Sequence, residues 1–151
     1  MIYSQTIDTP AGALTVRATD EAITNISFES TADSNPNRIT QKACLELDEY
    51  FKGQRISFDL PIKTSGTEFQ KQVWNELLRI PAGKTTSYGQ IAKNIGKPRA
   101  ARAVGGAVGS NPIAIVIPCH RVMATSGAIT GYTGGDGIKT KQKLLDLETV
   151  G

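Results

Sequence analysis

The chain has 151 residues, a mass of 16.1 kDa and a hydrophobic content of 39%, so it is long enough to bury one ordinary core or two small ones. No apolar run approaches the roughly 18 residues of a membrane helix, and no segment has the basic-then-apolar layout of an export signal. We therefore expect a soluble, cytoplasmic protein with no membrane partner.

The two cysteines, Cys44 and Cys119, are predicted to be free thiols, because a chain of this size without an export signal rarely depends on one disulfide. Cys44 lies in a predicted helix beside its apolar stripe, as a small buried hydrophobe does. His120 is the only histidine. Without a Cys-x-x-Cys or His-x-x-x-His spacing, we predict no metal and no cofactor.

The charge is divided unevenly along the chain. Residues 1–62 carry five Lys and Arg against nine Asp and Glu, whereas residues 63–151 carry twelve against five. The second half is thus basic, with charge that could meet the phosphates of a nucleic acid. A solvated lysine surface explains the charge alone equally well.

The first half alternates short apolar segments with turns. Residues 2–7, 13–18 and 22–28 predict an antiparallel meander of three strands. Apolar residues from Ile39 to Phe51 recur at helical spacing, and Gly53 is placed to end that helix. A short strand is predicted at 56–60.

Residues 61–66, with the sequence PIKTSG, predict a linker between an N-terminal supporting domain (1–60) and a second domain (67–151). Thr67 with Gln70, and Ser87 with Gln90, form capping-box patterns at two predicted helix starts. The first of these helices buries an apolar face from Phe69 to Leu78. A third helix is predicted from Pro98. The short helices separated by a tight turn outline a helix-turn-helix, which is common in DNA-binding proteins and also in ordinary helical cores.

The third helix carries almost no side-chain bulk, since Ala100, Ala101, Gly105 and their neighbours are small. Each interior glycine costs about 1 kcal/mol relative to alanine. Close helix packing is one explanation, and close approach to a nucleic acid is the other. Major-groove readers carry several long polar side chains, whereas this helix offers only Arg99 and Arg102. Sequence-independent minor-groove binding with an inserted arginine suits it better.

The stretch NPIAIVIPCHRV, residues 111–122, reads as a buried strand over 113–117 that ends abruptly in Pro118 and Cys119. Basic surroundings could lower the thiol pKa and favour a nucleophilic thiolate. Neighbours on a strand point to opposite faces, so contact between His120 and the sulfur requires either a break at Pro118 or a bridging water.

Five segments follow one another along the chain: TSYGQIA, RAARAVGGAVGSNP, IPCHRV, SGAITGYTGG and LLDLE. In sequence and in order, they resemble the O6-alkylguanine-DNA alkyltransferases. The resemblance covers Phe69–Glu148. It implies a ribonuclease-H-like α+β N-terminal domain and a mainly helical C-terminal domain of winged helix-turn-helix type. It also implies irreversible, single-turnover transfer of an alkyl group from O6 of guanine in DNA to cysteine.

The resemblance further implies roles for individual residues. Cys119 would accept the alkyl group, His120 would act through a water with Glu148 behind it, Asn111 would orient the thiol, and Tyr88 would hydrogen-bond the leaving guanine. The base pocket would be formed by Tyr132, Val122, Met123, Thr133 and Gly134. Arg102 would fill the gap left by the flipped base, and the expected DNA contacts also include Arg99, Ala100, Ala101, Gly105, Ser87 and Thr125.

The implied partner is double-stranded DNA containing O6-alkylguanine, bound by a monomer with little sequence preference. Two other classes of function stay open. Alkyltransferase-like proteins bind alkylated DNA without repairing it, but they lack the acceptor cysteine. A Cys-His hydrolase would need direct contact between Cys119 and His120, and it would leave the basic helical half unexplained.

Overall fold

The computed structural model describes residues 1–124, 126, 132 and 134–149. Strands β1 (Tyr3–Thr9), β2 (Gly12–Ala18) and β3 (Ile23–Ser27) form an antiparallel sheet in that order. In the register of the sheet, Val16 pairs with Gln5 on one side and with Ile26 on the other. The predicted meander is confirmed.

Helix α1 (Arg38–Phe51) packs on this sheet. Asn37 and Thr40 cap it reciprocally: the Thr40 amide donates to Asn37 Oδ1 at 2.8 Å, and the Asn37 amide donates to Thr40 Oγ1 at 2.9 Å. The chain leaves the helix at Gly53, where φ is +75°. One face of α1 is buried, as its apolar spacing predicts, and it includes Ile39, Ala43, Leu47 and Tyr50.

The strand predicted at 56–60 is wrong. The buried carboxylate of Glu46 accepts the Asp59 amide at 2.9 Å, so this N–H group does not join a strand ladder. The chain pairs with the sheet only afterwards, where the Ile23 amide donates to the Pro61 carbonyl at 2.8 Å and the Lys63 amide donates to the Ile23 carbonyl at 2.9 Å. The predicted linker thus begins as a short addition to β3.

The same strand β3 receives a second segment from far along the chain. The Ile26 amide donates to the Pro112 carbonyl at 3.0 Å, and the Ala114 amide donates to the Ile26 carbonyl at 3.0 Å. One continuous set of buried side chains therefore runs from the sheet into the helical half. The segment that leads to Cys119 is tied to the N-terminal sheet by backbone hydrogen bonds.

The helical half contains α2 (Glu68–Leu77), α3 (Tyr88–Asn94), α4 (Ala101–Gly109) and α5 (Ile138–Thr149). The capping box of Thr67 and Gln70 is confirmed. The box predicted for Ser87 forms only by half, because the Gln90 side chain donates to Asn94 Oδ1 instead.

Two further details of the helical half differ from prediction. Helix α4 begins at Ala101 rather than at Pro98, because Ala100 closes a separate turn onto the Lys97 carbonyl at 2.9 Å. The buried face of α2 ends at Leu77, and Leu78 is 45% exposed. Helix α4 packs on α2 through the Trp74 indole, whose Nε1 donates to the Ala107 carbonyl at 2.8 Å. Two short strands, β4 (Thr86–Ser87) and β5 (Val122–Met123), pair in parallel.

In the part of the chain that the structure describes, no helix combines the length and the apolar character that crossing a membrane requires.

Leu47→Ala should lower the free energy of unfolding by about 2 to 5 kcal/mol, because it leaves a cavity under a fully buried side chain. Leu45→Ala is the matched control, since this leucine lies on the same helix and is 59% exposed. Urea unfolding followed by circular dichroism measures both. Equal losses for the two variants would contradict the packing of α1 described here.

Candidate active site

The segment before Cys119 is a strained turn, and the strand predicted at 113–117 is wrong. The Val116 amide donates to the Ala114 carbonyl at 2.8 Å across Ile115, whose φ is +71°. An i to i+2 hydrogen bond around a residue of positive φ is a rare and strained form of γ-turn. A buried β-branched residue adopts it only when its surroundings enforce it. Ile115 is 1% exposed, so its packing holds the turn in place.

A second tight turn follows at Pro118. This proline has φ −82° and ψ 66°, and the Cys119 amide donates back to the Ile117 carbonyl at 2.8 Å. The dihedral angles are those of an inverse γ-turn. Cys119 consequently becomes the first residue of a 3-10 helix, Cys119–Arg121. The chain therefore does break at Pro118, which was one of the two ways expected to relate His120 to the sulfur.

Asn111 fixes the start of this turn. Its Nδ2 donates to the Ile117 carbonyl at 2.8 Å, and its Oδ1 accepts from the Ile113 amide at 3.0 Å. The side chain thus spans the loop and holds both of its ends. Asn111 lies where the resemblance places the residue that shapes the site.

Cys119 opens into a cavity of about 170 Å³. Three other expected site residues line it: Asn111, Tyr132 and Gly134. The Tyr132 hydroxyl is buried and has no hydrogen-bond partner within the described residues. The rest of the wall comes from helix α4, from the strained turn and from the N-terminal sheet, and it consists of Val108, Gly109, Ala114, Ser27 and Phe28.

Burial raises the pKa of the Cys119 thiol, although the Asn111 amide and the Lys141 ammonium act in the opposite direction. The expectation that basic surroundings lower this pKa is therefore wrong for the resting protein. The side chain is only 9% exposed, and desolvation disfavours the thiolate. The resting group is a thiol that needs a base.

His120 and Glu148 meet at the base of the site. Their side chains are 0% and 1% exposed, and His120 Nε2 lies 2.7 Å from Glu148 Oε2. Arg121 donates two hydrogen bonds of 2.8 Å to the same carboxylate, from Nε to Oε1 and from Nη2 to Oε2. The Tyr50 hydroxyl donates to Oε2 at 2.6 Å.

These contacts determine the charge states of the pair. Burial alone would raise the pKa of Glu148, but the hydrogen bonds from His120 and Arg121 outweigh it and lower the pKa to about 2. Burial lowers the pKa of His120, and its partner Glu148 only partly offsets this. Near neutral pH the carboxylate is therefore ionised and the imidazole is neutral.

An ionised carboxylate only accepts hydrogen bonds, so Nε2 of the neutral imidazole must donate to it. The lone pair then lies on Nδ1, which is buried and has no hydrogen-bond partner among the described residues. His120 thus holds an unused proton acceptor one residue from the thiol.

The strand pair β4–β5 relates Tyr88 to the thiol-bearing segment. Thr86 pairs with Val122 and Ser87 with Met123, so Tyr88 begins α3 directly beside the residues that follow Cys119. Tyr88 is half-buried, and its ring lies against Gly105 of α4. The Val122 carbonyl, expected to face guanine, accepts a hydrogen bond from Lys141 Nζ.

The residues expected to touch DNA lie on and around α4. Arg99 and Arg102 are exposed, Ala100 and Ala101 stand at the helix start, and Gly105 is half-buried. The Ser87 hydroxyl oxygen accepts a hydrogen bond from the Gln90 amide and so caps α3. Thr125 and Thr133 lie outside the described residues.

Sequence reasoning missed four residues of this site: Tyr50, Arg121, Lys141 and Phe28. Arg121 stood next to the cysteine and histidine, so proximity could have indicated it. Lys141 is 1% exposed, and a lysine in a helix pattern gives no signal of burial. Tyr50 and Phe28 belong to the N-terminal half, and only the tertiary structure brings them to the site. Phe28 meets the Tyr132 ring edge-on at 6.2 Å between centroids.

In the ranges 1–124, 126, 132 and 134–149, no group of three or more His, Cys, Asp or Glu side chains is arranged to hold a metal ion.

Comparison with known proteins covers both halves of the chain. The ribonuclease-like domain of 6-O-methylguanine DNA methyltransferase matches residues 2–64, and the DNA-binding domain of 6-O-methylguanine DNA methyltransferase matches residues 68–150.

Individual relatives match over nearly the whole length. A Mycobacterium tuberculosis protein named methylated-DNA–protein-cysteine methyltransferase is 46% identical over 155 residues, covering 98% of this chain and 93% of that protein. A Methanosarcina acetivorans protein of the same name is 41% identical, covering 97% of this chain and 98% of that protein. The crystal structure of Mycobacterium tuberculosis OGT in complex with DNA superposes with a TM-score of 0.89 at 45% identity, covering 97% of this chain and 92% of that one.

Two domain matches that together span the chain, and relatives of this identity and coverage, agree with the buried Pro-Cys-His-Arg site in a cavity beside a helical half. The chain belongs to the 6-O-methylguanine DNA methyltransferase family.

Proposed function

We propose that the protein repairs DNA by moving an alkyl group from O6 of guanine to Sγ of Cys119 in one irreversible step. The observation that carries this proposal is the buried thiol at the wall of a cavity, next to a neutral imidazole whose Nε2 is held by an ionised carboxylate. A soft sulfur nucleophile suits displacement at an alkyl carbon. The protein would be consumed, because none of the described residues that line the cavity offers a group that removes an alkyl from S-alkylcysteine.

In the proposed reaction, the thiol proton passes through a water to Nδ1 of His120, and Glu148 stabilises the imidazolium that forms. The thiolate attacks the alkyl carbon, the S–C bond forms, and the C–O6 bond breaks. The electron pair of that bond moves onto the guanine, where a hydrogen bond from Tyr88 stabilises the developing charge. Because burial raises the pKa of the Cys119 thiol, the thiolate forms only as the imidazole takes its proton.

The cavity provides the base pocket in this proposal. Tyr132 and Gly134 line this cavity, and Gly134 would lie on the side of O6. The resemblance to the family assigns Thr133 and Met123 to the same pocket. The carbonyls of Cys119 and Val122 would accept from the exocyclic amine of guanine. The buried hydroxyl of Tyr132, which has no hydrogen-bond partner within the described residues, supports this assignment, because such a group is costly unless a ligand satisfies it.

Helix α4 is proposed to face the minor groove of duplex DNA with little sequence preference. Gly106 and Gly109 are exposed, and a Cβ atom added at either would meet nothing within 4 Å. Packing inside the protein therefore does not require glycine at these two positions, and close approach from outside does. Ala100 caps α4 without a side-chain hydrogen bond, so first-turn N–H groups are available to a phosphate.

The target base must leave the duplex to reach the cavity, at a cost of a few kcal/mol. Arg102 is exposed at the first turn of α4 and has no hydrogen bond or ion pair within the described residues. We propose that its side chain fills the gap in the stack, while Arg99, Ala101, Ser87, Gly105 and Thr125 contact the backbone. The monomeric state, the location with the DNA in the cytoplasm, and the boundaries 1–60, 61–66 and 67–151 are parts of the same proposal.

The two rival functions fit the site less well. A hydrolase needs the thiol paired with the imidazole, but within the described residues the partner of His120 is Glu148 and the thiol makes no hydrogen bond to the ring. A damage-binding protein has no use for an acceptor thiol.

Intact mass after incubation with an O6-methylguanine duplex should show one added methyl group per molecule, and peptide mapping should place it on Cys119. Cys119→Ala should show no gain and should still bind the duplex. Cys44→Ala is the matched control and should react fully, because Cys44 is a buried residue of helix α1 and the cavity lining does not include it. Tight binding without any mass gain would replace repair by damage sensing.

Gly106→Ala should make the protein more stable and lower its affinity for DNA. Alanine in the helix interior should raise the free energy of unfolding by about 1 kcal/mol. The added methyl should weaken binding to an O6-methylguanine duplex by about fivefold or more, because it occupies the space between helix and groove. Urea unfolding and fluorescence anisotropy at fixed salt measure the two effects. A stabilised variant with unchanged affinity would show that α4 does not face the DNA.

Arg102→Ala should slow alkyl transfer from duplex DNA by about tenfold or more, and from the same strand unpaired by about threefold or less, because only the duplex must give up a stacked, paired base. Single-turnover quench experiments measure both rates. Arg79→Ala is the control, since it removes one charge from an arginine that is 79% exposed and paired with Glu76. An equal loss on both forms of DNA would reduce Arg102 to a phosphate contact.

A further inference from the structure

The carboxylate of Glu148 receives one hydrogen bond from outside the helical half. His120 and Arg121 belong to the 3-10 turn that carries the thiol, whereas Tyr50 lies on α1, 98 positions before Glu148. All three donors reach Oε2, at 2.7, 2.8 and 2.6 Å. The carboxylate oxygen that faces His120 thus also accepts a hydrogen bond from the phenol of Tyr50, which belongs to the N-terminal half.

The phenol is held rigidly where it makes this contact. Tyr50 is 2% exposed, and its ring packs against Phe51 at 5.3 Å and Phe58 at 5.5 Å between centroids. Burial, followed by the negative charge of Glu148, raises the pKa of its hydroxyl, so near neutral pH the group is protonated and can donate.

Arg121 already fixes the orientation of the carboxylate through its two-pronged contact with Oε1 and Oε2. A third donor is therefore not needed to keep Glu148 in place. What it changes is the electron density on Oε2, because each hydrogen bond to a carboxylate oxygen stabilises its charged form and makes it a weaker acceptor for the next donor.

We propose that Tyr50 is a positioning residue of the relay, which acts through Glu148 by taking up part of the charge on the oxygen that faces His120. The imidazole is then left neutral at rest. Its Nδ1 lone pair, which has no partner in the part of the chain that the structure describes, can accept the thiol proton. The N-terminal half in this way takes part in tuning the base. The functional meaning of this inference rests on the proposed alkyl transfer, but the contact and its effect on His120 do not.

Among the described residues, the charged groups that act on His120 are Glu148 and Lys141 from α5 and Arg121 from its own turn. The neutral thiol of Cys119 precedes it in the same turn. None of these residues is replaced in the variants of Tyr50 and Tyr3.

Proton NMR tests the inference directly, because His120 is the only histidine and its imidazole signals need no assignment by mutation. In Tyr50→Phe, which keeps the ring and removes the hydroxyl, the pKa of His120 should rise by about half a unit to one unit, as Oε2 becomes a better acceptor for the imidazolium. Tyr3→Phe is the matched control, since that phenol interacts with Asp20. It should leave the titration unchanged. An unchanged or lower pKa in Tyr50→Phe would overturn the inference.

A second measurement does not depend on the folding of that variant. Replacing the four tyrosines by 3-fluorotyrosine makes the Tyr50 phenol a stronger donor while retaining its hydrogen bond to Glu148. The pKa of His120 should then fall, and an unchanged value would contradict the inference.

The rate of single-turnover alkyl transfer should follow the titration. With saturating O6-methylguanine duplex, the acidic limb of the pH–rate profile of Tyr50→Phe should move to higher pH by the same amount as the NMR titration, because protonated His120 cannot accept the thiol proton. A melting curve checks for a general loss of structure, which would not shift this limb. A displaced NMR titration in a protein that transfers no alkyl group would support the inference and refute the proposed function.

Discussion

The buried carboxylate of Glu148 is the interaction on which the site depends. Placing a charge where its side chain is 1% exposed is costly unless a countercharge and hydrogen-bond donors stabilise it. Here Arg121 supplies the countercharge, and His120 and Tyr50 supply further hydrogen bonds. Because the carboxylate is satisfied in this way, it remains ionised and determines which nitrogen of His120 carries the proton. The chemistry of the thiol follows from that choice.

The N-terminal sheet supplies the frame for this arrangement. Strand β3 pairs with residues 112–114, and this pairing precedes the strained turn at Ile115 and the turn at Pro118. Two tight turns in succession bring the thiol to the cavity in a direction that a regular strand would not allow. The same strand ends at Ser27 and is followed by Phe28, which lies across from Tyr132 and fills the space beside Gly134. The first half is thereby part of the site wall.

The local elements could be predicted from the sequence because their signals are local. Alternating apolar residues gave the three strands, and Thr67 with Gln70 gave the start of α2. The turn at 113–117 could not be predicted from the sequence, because isoleucine and valine favour a strand. Only tertiary packing forces Ile115 to a positive φ. The resemblance to the alkyltransferases assigned the roles of Cys119, His120 and Glu148. It did not give the pKa of the thiol, because burial rather than neighbouring charge determines it. Tyr50 and Phe28 carry no functional signal in their own segments.

A buried thiol of raised pKa and a buried neutral imidazole suit a protein that reacts once. An exposed thiolate would be a good nucleophile at all times, and it would be oxidised or alkylated by small electrophiles before it met its substrate. In this site Cys119 is 9% exposed, and the base beside it is uncharged. The reactive pair forms only by transfer of one proton between two buried groups, a step that needs the alkyl carbon in place to be productive. The desolvation that makes the resting thiol unreactive is thus what preserves it for a single use.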